Sequence, residues 1–469
     1  VKRFCSLSAL LLVLAGLAQA DHLDDQAAAY MKQRRIPGMV LAVFEHGKIV
    51  RESAYGIADL ERGVKTTVDS VFEIGSVTKQ FTSTMILMLR DEGKLALEDP
   101  ISKYVDNLPE PWRVVTLKQL LTHTSGVPDF EEHLTYAMYR LEYTPAELIA
   151  KTAVFPMDFA PGTDWHYSNT GYYLLGLTLE KVSGKPWGQL LKERILDPLG
   201  MTHTRESDPS AVIPNRAAGY ERTKDGYINR DAMQPSACKG AGTMVSTVED
   251  MAKWDQELYD CKLLKKSSRE ESWTPITLPN GNSTGYGYGW FTLAFHGVPS
   301  VEHSGGTSGY SCDFMRFPTL GISCMALTNC YATGVGQVCF AALDRYHPGL
   351  LWWSMKPSPD PDSKVHDLTL GALKDFAAGG ASSPKVDQKA WDKYPATARE
   401  TWKKRLLTLK KFEFLYHSEF PLRQTEDGVT INQEYVYRLQ NAEGYFYLVF
   451  YLTPDGKVGQ QFREVPLAG

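Results

Sequence analysis

Most of the short motifs that announce a reaction class are missing from this chain. It has no H-E-x-x-H pair and no glycine-rich phosphate loop. Zinc peptidase chemistry and nucleotide binding therefore have no sequence handle. None of its cysteines forms a C-x-x-C pair, which argues against zinc. No run of five or more basic residues occurs and the net charge is −5, so the electrostatic footprint of a nucleic-acid binder is absent. The apolar stretch from Leu7 to Leu17 is too short to cross a bilayer. No pattern calls for a cofactor or a metal. The expected partner is a small-molecule or peptide substrate, and the oligomeric state is not specified.

What is present is ordinary in bulk. Hydrophobic content of 43% with 22% charged residues suits a soluble globular protein, and 469 residues suffice for two or three domains. Residues 1–20 read as a signal peptide: Lys2 and Arg3 are its basic start, the apolar stretch follows, and Ala18-Gln19-Ala20 is a cleavage site before Asp21. The mature chain is thus expected in the periplasm or outside the cell, without stable membrane insertion. Cys5 leaves with the leader. The remaining cysteines, at 238, 261, 312, 324, 330 and 339, are even in number, which in an oxidising compartment suggests up to three disulfides, with buried free thiols as the alternative.

The composition divides the mature chain in two. Residues 21–350 alternate strand-like and helix-like stretches. Residues 351–364, with Lys356-Pro357-Ser358-Pro359-Asp360-Pro361-Asp362, form a Pro-rich linker. Residues 365–469 then read as a small α+β domain: two helical stretches (Asp367 to Ala378 and about Ala390 to Lys410) precede strands with half-buried alternation.

Three stretches in the larger part carry side chains suited to acyl transfer. In Ile74-Gly75-Ser76-Val77-Thr78-Lys79, a serine and a lysine stand three residues apart at the start of a helix whose apolar positions include Val77, Phe81, Met85 and Met88. That spacing puts the Ser76 hydroxyl and the Lys79 amine on one face, and burial would favour the neutral amine as a base. A loop carries Tyr167-Ser168-Asn169 into an apolar helix, expected from Tyr173 to Val182. The third stretch is Val301-Glu302-His303-Ser304-Gly305-Gly306. Two further groups are read as structural. Glu73, three residues before the serine, reads as a solvated or capping charge. His123, in the turn-rich loop His123-Thr124-Ser125-Gly126-Val127-Pro128, reads as a structural hydrogen-bonder.

In this order and with these flanks, the motifs Ser76-Val77-Thr78-Lys79, Tyr167-Ser168-Asn169 and His303-Ser304-Gly305 resemble the serine β-lactamase and penicillin-binding-protein superfamily. The match is to its class C β-lactamase-like branch, which includes DD-peptidases, D-amino-acid amidases and esterases. Leu121-Thr122-His123-Thr124-Ser125-Gly126 and Pro198-Leu199-Gly200-Met201 match the same branch, and the resemblance runs over roughly residues 25 to 348. It implies an α/β (α+β type) fold: an antiparallel sheet flanked by helices, with an all-helical subdomain. It also implies roles. Ser76 is acylated. Lys79 and Tyr167 share acid–base work, with the Tyr167 phenolate favoured by nearby positive charge. Asn169 bridges Lys79 and a substrate amide carbonyl. Residues 303–306 line the cleft, with the N–H groups of Ser76 and Gly306 as oxyanion hole. The expected activity is an exported serine hydrolase acting on D-amino-acid-containing peptides, in the manner of a DD-carboxypeptidase or D-aminopeptidase. An esterase or weak β-lactamase on the same scaffold is the alternative, and a non-catalytic penicillin-binding or scaffold protein is a third. His303 departs from the lysine that β-lactamases of this class carry, so a substrate carboxylate is expected to bind weakly or with pH dependence.

Overall fold

A computed structural model describes residues 23–134, 136–230, 233–295, 297–332, 334–350, 354–392, 396–424, 429–442, 444–459 and 463–465. The segment read as a signal peptide lies outside the described residues. By internal contacts the chain forms two units: residues 1–276, 284–293 and 299–343, and residues 277–283, 294–298 and 344–469.

The larger unit is built on a seven-stranded sheet. Its strands are β1 (Gly38–Glu45), β2 (Lys48–Asp59), β3 (Val64–Lys65), β4 (Phe291–Phe295), β5 (Val298–Thr307), β6 (Tyr310–Phe317) and β7 (Ile322–Thr328), in the order β3-β2-β1-β7-β6-β5-β4. The early hairpin thus sits beside the last strand: β1 runs antiparallel to β7, pairing Met39 with Thr328 and Glu45 with Ile322. β1, β6 and β7 are almost wholly buried, including both of their faces, because helices cover the sheet on either side. A helix over 23–34 (α1), α5 (Val248–Asp260) and α6 (Gly336–Tyr346) belong to this part. Thr247 caps α5 by accepting from the Asp250 N–H at 3.3 Å.

At the heart of the unit runs α2 (Thr78–Asp91). The sequence suggests one apolar face; in the fold every residue from Thr78 to Leu89 is buried. Several of its polar side chains survive burial by finding a partner. Thr82 donates to Gly240 O (2.7 Å), Gln80 accepts from the Trp254 indole (3.0 Å), and Ser83 meets the Tyr172 hydroxyl (3.2 Å). Short helices, α3 (Leu117–Leu121) and α4 (Asn169–Ser183) among them, make up the helical part. α4 begins four residues earlier than the apolar pattern suggests, because Ser168 caps it by accepting from Gly171 N–H at 3.2 Å. Asn169 is thereby fixed in its first turn.

The smaller unit carries α7 (Ser363–Ala378), α8 (Ala396–Leu407) and a four-stranded antiparallel sheet of β8 (Lys411–Gln424), β9 (Thr430–Asn441), β10 (Gly444–Leu452) and β11 (Arg463–Val465). Leu373, Phe376, Trp391, Tyr437 and Phe450 form its core. Of the helical stretch expected from about Ala390 to Lys410, the described residues show helix over Gln388–Asp392 and α8.

The expected disulfides are not there. Cys238, Cys261, Cys312, Cys324, Cys330 and Cys339 all carry free thiols, five of them buried. The buried ones behave as core side chains with local acceptors: Cys312 donates to Ile74 O (3.2 Å), and Cys339 lies 3.8 Å from Asp313 O. Burial pushes both thiols well above their ordinary range.

Candidate active site

Ser76 is placed by backbone alone. Phe72–Glu73 pairs with Met244–Ser246, and the Ile74 N–H donates to Met244 O at 2.9 Å. The chain then turns through Gly75, at φ +46°, into the short 3-10 turn Gly75–Val77 that leads into α2. β5 crosses this turn at contact distance. A Cβ on Gly305 would stand 2.1 Å from Ile74 O, and one on Gly75 would stand 2.7 Å from Gly306 N. Only residues without a Cβ allow two backbones to meet so closely. The Gly306 backbone is thus set against the turn bearing Ser76, an arrangement that can hold an oxyanion between two main-chain N–H groups.

Lys79 lies fully buried one turn along. Its Nζ donates to Ser76 Oγ (3.1 Å), Asn169 Oδ1 (2.8 Å) and Ala241 O (2.8 Å). Burial lowers its pKa from 10.5 to about 8, against opposing pulls from Cys238, Asp129 and Glu131. Asn169 Oδ1 and the Ala241 carbonyl can only accept, so they hold two N–H bonds in either protonation state. The remaining tetrahedral position points at Ser76: an N–H in the ammonium, a lone pair in the amine. Such a lysine can take the serine proton without moving.

Tyr167 faces the same pocket. Its ring lies 4.7 Å from Lys79 Nζ, and the Ser76 hydroxyl is its polar neighbour, yet its own oxygen closes no hydrogen bond. Burial pushes the phenol well above its ordinary pKa. The phenolate expected from the resemblance is therefore disfavoured: desolvation outweighs the nearby lysine, and the neutral phenol can act as a proton carrier beside Lys79.

Asn169 is held from both ends. Its Nδ2 donates to Asp129 Oδ2 (3.2 Å) and Glu131 Oε2 (2.9 Å), and Asp129 Oδ1 accepts from its main-chain N–H (3.0 Å). These partners fix the amide orientation, since the opposite one would face oxygen to two carboxyls. Both amide protons are used inside the protein, so the bridge to a substrate amide carbonyl expected of Asn169 lacks a free donor. Burial, and then the neighbouring Glu131 charge, raise Asp129 to about 6.

His303 corrects a third expectation. It is 1% exposed, not a cleft-facing group. Its Nδ1–H donates to Ser304 O (2.7 Å), and its Nε2 accepts from the Tyr286 hydroxyl (2.9 Å). Burial, reinforced by Lys79, lowers its pKa to about 3. It is a neutral imidazole with both nitrogens engaged, so it neither titrates near neutrality nor offers charge to a carboxylate. Ser304 and Gly306, alternating with it along β5, are exposed. Glu73 is likewise no solvated charge: it is buried, accepts from Met233 N–H (3.3 Å), and pairs with Arg216 at 3.5 Å.

Asp129, Glu131, Tyr286 and the Ala241 carbonyl have no signal in the sequence. Each enters the site through a tertiary contact with a residue far along the chain. An Asp-x-Glu pair just after a turn-rich loop was the sole hint, and it is too common to single out. Among the described residues no group of three His, Cys, Asp or Glu side chains is placed to hold a metal ion, and no helix is long and apolar enough to cross a membrane.

A serine in the turn before a helix and a buried lysine in that helix's first turn, set between an antiparallel sheet and a helical part, define the class. The Beta-lactamase family model matches residues 23–343, and the chain belongs to that family, whose members are serine hydrolases. Penicillin-binding protein 4* of Bacillus subtilis (strain 168) is 30% identical over 321 residues, 63% of this chain and 68% of its own. The structure of D-amino acid amidase from Ochrobactrum anthropi SV3 complexed with L-phenylalanine amide matches with TM-score 0.62 at 26% identity, over 70% of this chain and 99% of the amidase. The octameric penicillin-binding protein homologue from Pyrococcus abyssi shares the fold over 95% of this chain and 100% of its own, with TM-score 0.62 at 22% identity.

Proposed function

We propose that this protein is an exported serine hydrolase that forms an acyl-enzyme on Ser76 and acts on amides or peptides whose D-configured residue carries a free α-ammonium. The carrying observation is the engagement of Asn169: both its amide protons are bound by Asp129 and Glu131. An N-acylated substrate, and a β-lactam with its amide side chain, needs a donor there. A free ammonium needs an acceptor instead, and Glu131 Oε1 has none of the donors that fill its Oε2. The neutral, enclosed His303 supports the same reading, because a terminal carboxylate finds no cation on β5. A D-amino acid amidase and a D-alanine carboxypeptidase are both among the similar structures, so the choice between them rests on Asn169 and His303.

In this scheme Ser76 Oγ attacks the scissile carbonyl carbon while its proton passes to neutral Lys79. The oxyanion rests between the N–H groups of Ser76 and Gly306. The C–N bond breaks as Tyr167 gives a proton to the departing amine, replenished from Lys79. A water then attacks the ester carbonyl, its proton returns by the same route, and Ser76 leaves.

The test compares D-alanine p-nitroanilide with its N-acetyl derivative and with an acyl-D-Ala-D-Ala peptide, together with intact-mass detection of a fluorophosphonate adduct. A charged hydrogen bond worth about 1.5–3 kcal/mol gives the free amine an advantage of roughly 10- to 150-fold in kcat/KM. Ser76→Ala should carry no adduct. Preference for the N-acetyl compound would overturn the substrate assignment, and an adduct on Ser76→Ala would overturn the nucleophile.

A further inference from the structure

His123 lies in a loop far from Ser76 in sequence and makes no contact that the reaction scheme requires. Its environment is nevertheless costly for an ordinary core residue. It is 1% exposed, its backbone is left-handed at φ +58°, and its Nε2 is buried without a hydrogen-bond partner. A histidine that is neither exposed nor fully satisfied, in a conformation that few side chains adopt, has some task to hold it there.

The contacts identify that task. The His123 carbonyl accepts from the His166 N–H at 3.0 Å, and its Nδ1 accepts from the Ser168 N–H at 3.0 Å. These two donors are the neighbours of Tyr167 on either side. The imidazole ring itself lies 4.3 Å from the Tyr167 ring, inclined at 37°. Tyr167 is thus gripped by main chain before and after it and by a ring against its face. All three restraints come from one residue.

Tyr167 needs such a grip. A phenol that hands a proton to a leaving group must keep its hydroxyl free of fixed protein partners, and this hydroxyl has only the Ser76 hydroxyl as polar neighbour and closes no hydrogen bond. Its aim therefore cannot come from its own oxygen and must be imposed from behind, through backbone and ring. We propose that His123 is a positioning residue for Tyr167, acting as a two-point backbone clamp whose side-chain arm is the Nδ1 acceptor. This rests on Tyr167 being the proton carrier. The left-handed backbone follows from the same demand, since one residue must turn both its carbonyl and its side chain toward the same loop. The clamp holds only in the neutral tautomer with hydrogen on Nε2. Burial and the nearby Lys79 keep His123 in that neutral state.

Three variants separate the arms. His123→Gly tolerates φ +58° and keeps the carbonyl, but removes the acceptor and the ring. His123→Asn also tolerates that backbone and puts an amide oxygen where Nδ1 stands. Tyr167→Phe tests the carrier itself. kcat, KM and the rate of fluorophosphonate labelling are measured on the full chain with a p-nitroanilide substrate, alongside thermal melts. A displacement of about 1 Å at the carrier costs on the order of 100-fold. His123→Gly is therefore expected to lose about that factor in kcat with KM little changed, and His123→Asn to recover most of it. If His123→Gly and His123→Asn are equally active, or equally impaired while both melt like the parent, the clamp is refuted. If His123→Gly is too unstable to assay, the ratio of His123→Asn to His123→Gln decides, because glutamine places its oxygen at the Nε2 position; a ratio near one refutes the clamp. If Tyr167→Phe retains full activity, the failure lies with the proton-carrier reading and not with the clamp geometry.

Discussion

The pH dependence of the reaction follows from the burial of Lys79 and can be displaced by one substitution. Lowering a lysine from 10.5 to about 8 corresponds to about 3 kcal/mol favouring the neutral amine over its state in water. The amine form is the one that accepts the Ser76 proton, so activity must rise with pH. Roughly one site in a hundred is neutral at pH 6, one in ten at pH 7 and half at pH 8. kcat/KM on a neutral ester should thus climb about tenfold per pH unit below 8 and level above it. Glu131 opposes this shift, because its carboxylate favours the ammonium. Glu131→Gln keeps an oxygen for the Asn169 amide but removes the charge, and should move the acid limb down by about one pH unit. At pH 6 the variant should then be roughly tenfold faster relative to its own plateau. On a substrate with a free ammonium the same variant should be slower. The assay is initial ester hydrolysis from pH 5.5 to 10, with a thermal melt at each pH to exclude unfolding. An acid limb centred below pH 6, or one that Glu131→Gln leaves in place, would refute Lys79 as the titrating base.

Two further outcomes follow from the packing around β5. Gly305→Ala would drive a methyl carbon to 2.1 Å from Ile74 O and 2.7 Å from Cys312 Sγ. The strand must retreat, so urea melts should show a loss of about 1–3 kcal/mol and labelling of Ser76 should collapse; a stable, active variant would mean that the close crossing is not what places Gly306. His303→Lys would bury an ammonium where the imidazole is neutral and would remove the acceptor of the Tyr286 hydroxyl. A destabilisation of roughly 3 kcal/mol or more is expected, with no gain on carboxylate-bearing substrates. A variant as stable as the parent and faster on an acyl-D-Ala-D-Ala peptide would show that position 303 opens to the substrate after all.

How far the sequence reaches differs from residue to residue. Ser76 and Lys79 are legible because a helix fixes their relation locally: three residues apart always means one face. The helix beginning at Thr78 and the glycines of β5 are legible for the same reason, since each answers a short-range demand of backbone geometry. His303 and Asn169 mislead because their positions are local but their partners are not. Whether an imidazole binds substrate or packs inside depends on Tyr286, and whether an asparagine has a proton to offer depends on Asp129 and Glu131. The cysteines mislead in the same way: an even count says nothing of which sulfurs can meet.

By itself, then, the sequence determined the nearness of Ser76 and Lys79, the order of the three motifs and the alternation of sheet and helix, because these rest on spacing and propensity within a few residues. The tertiary structure alone decided the charge state of Lys79, the neutrality of His303 and the saturation of Asn169. Each of these is a free energy of burial or of a hydrogen bond between segments distant in the chain, and such energies exist only once the segments have been brought together.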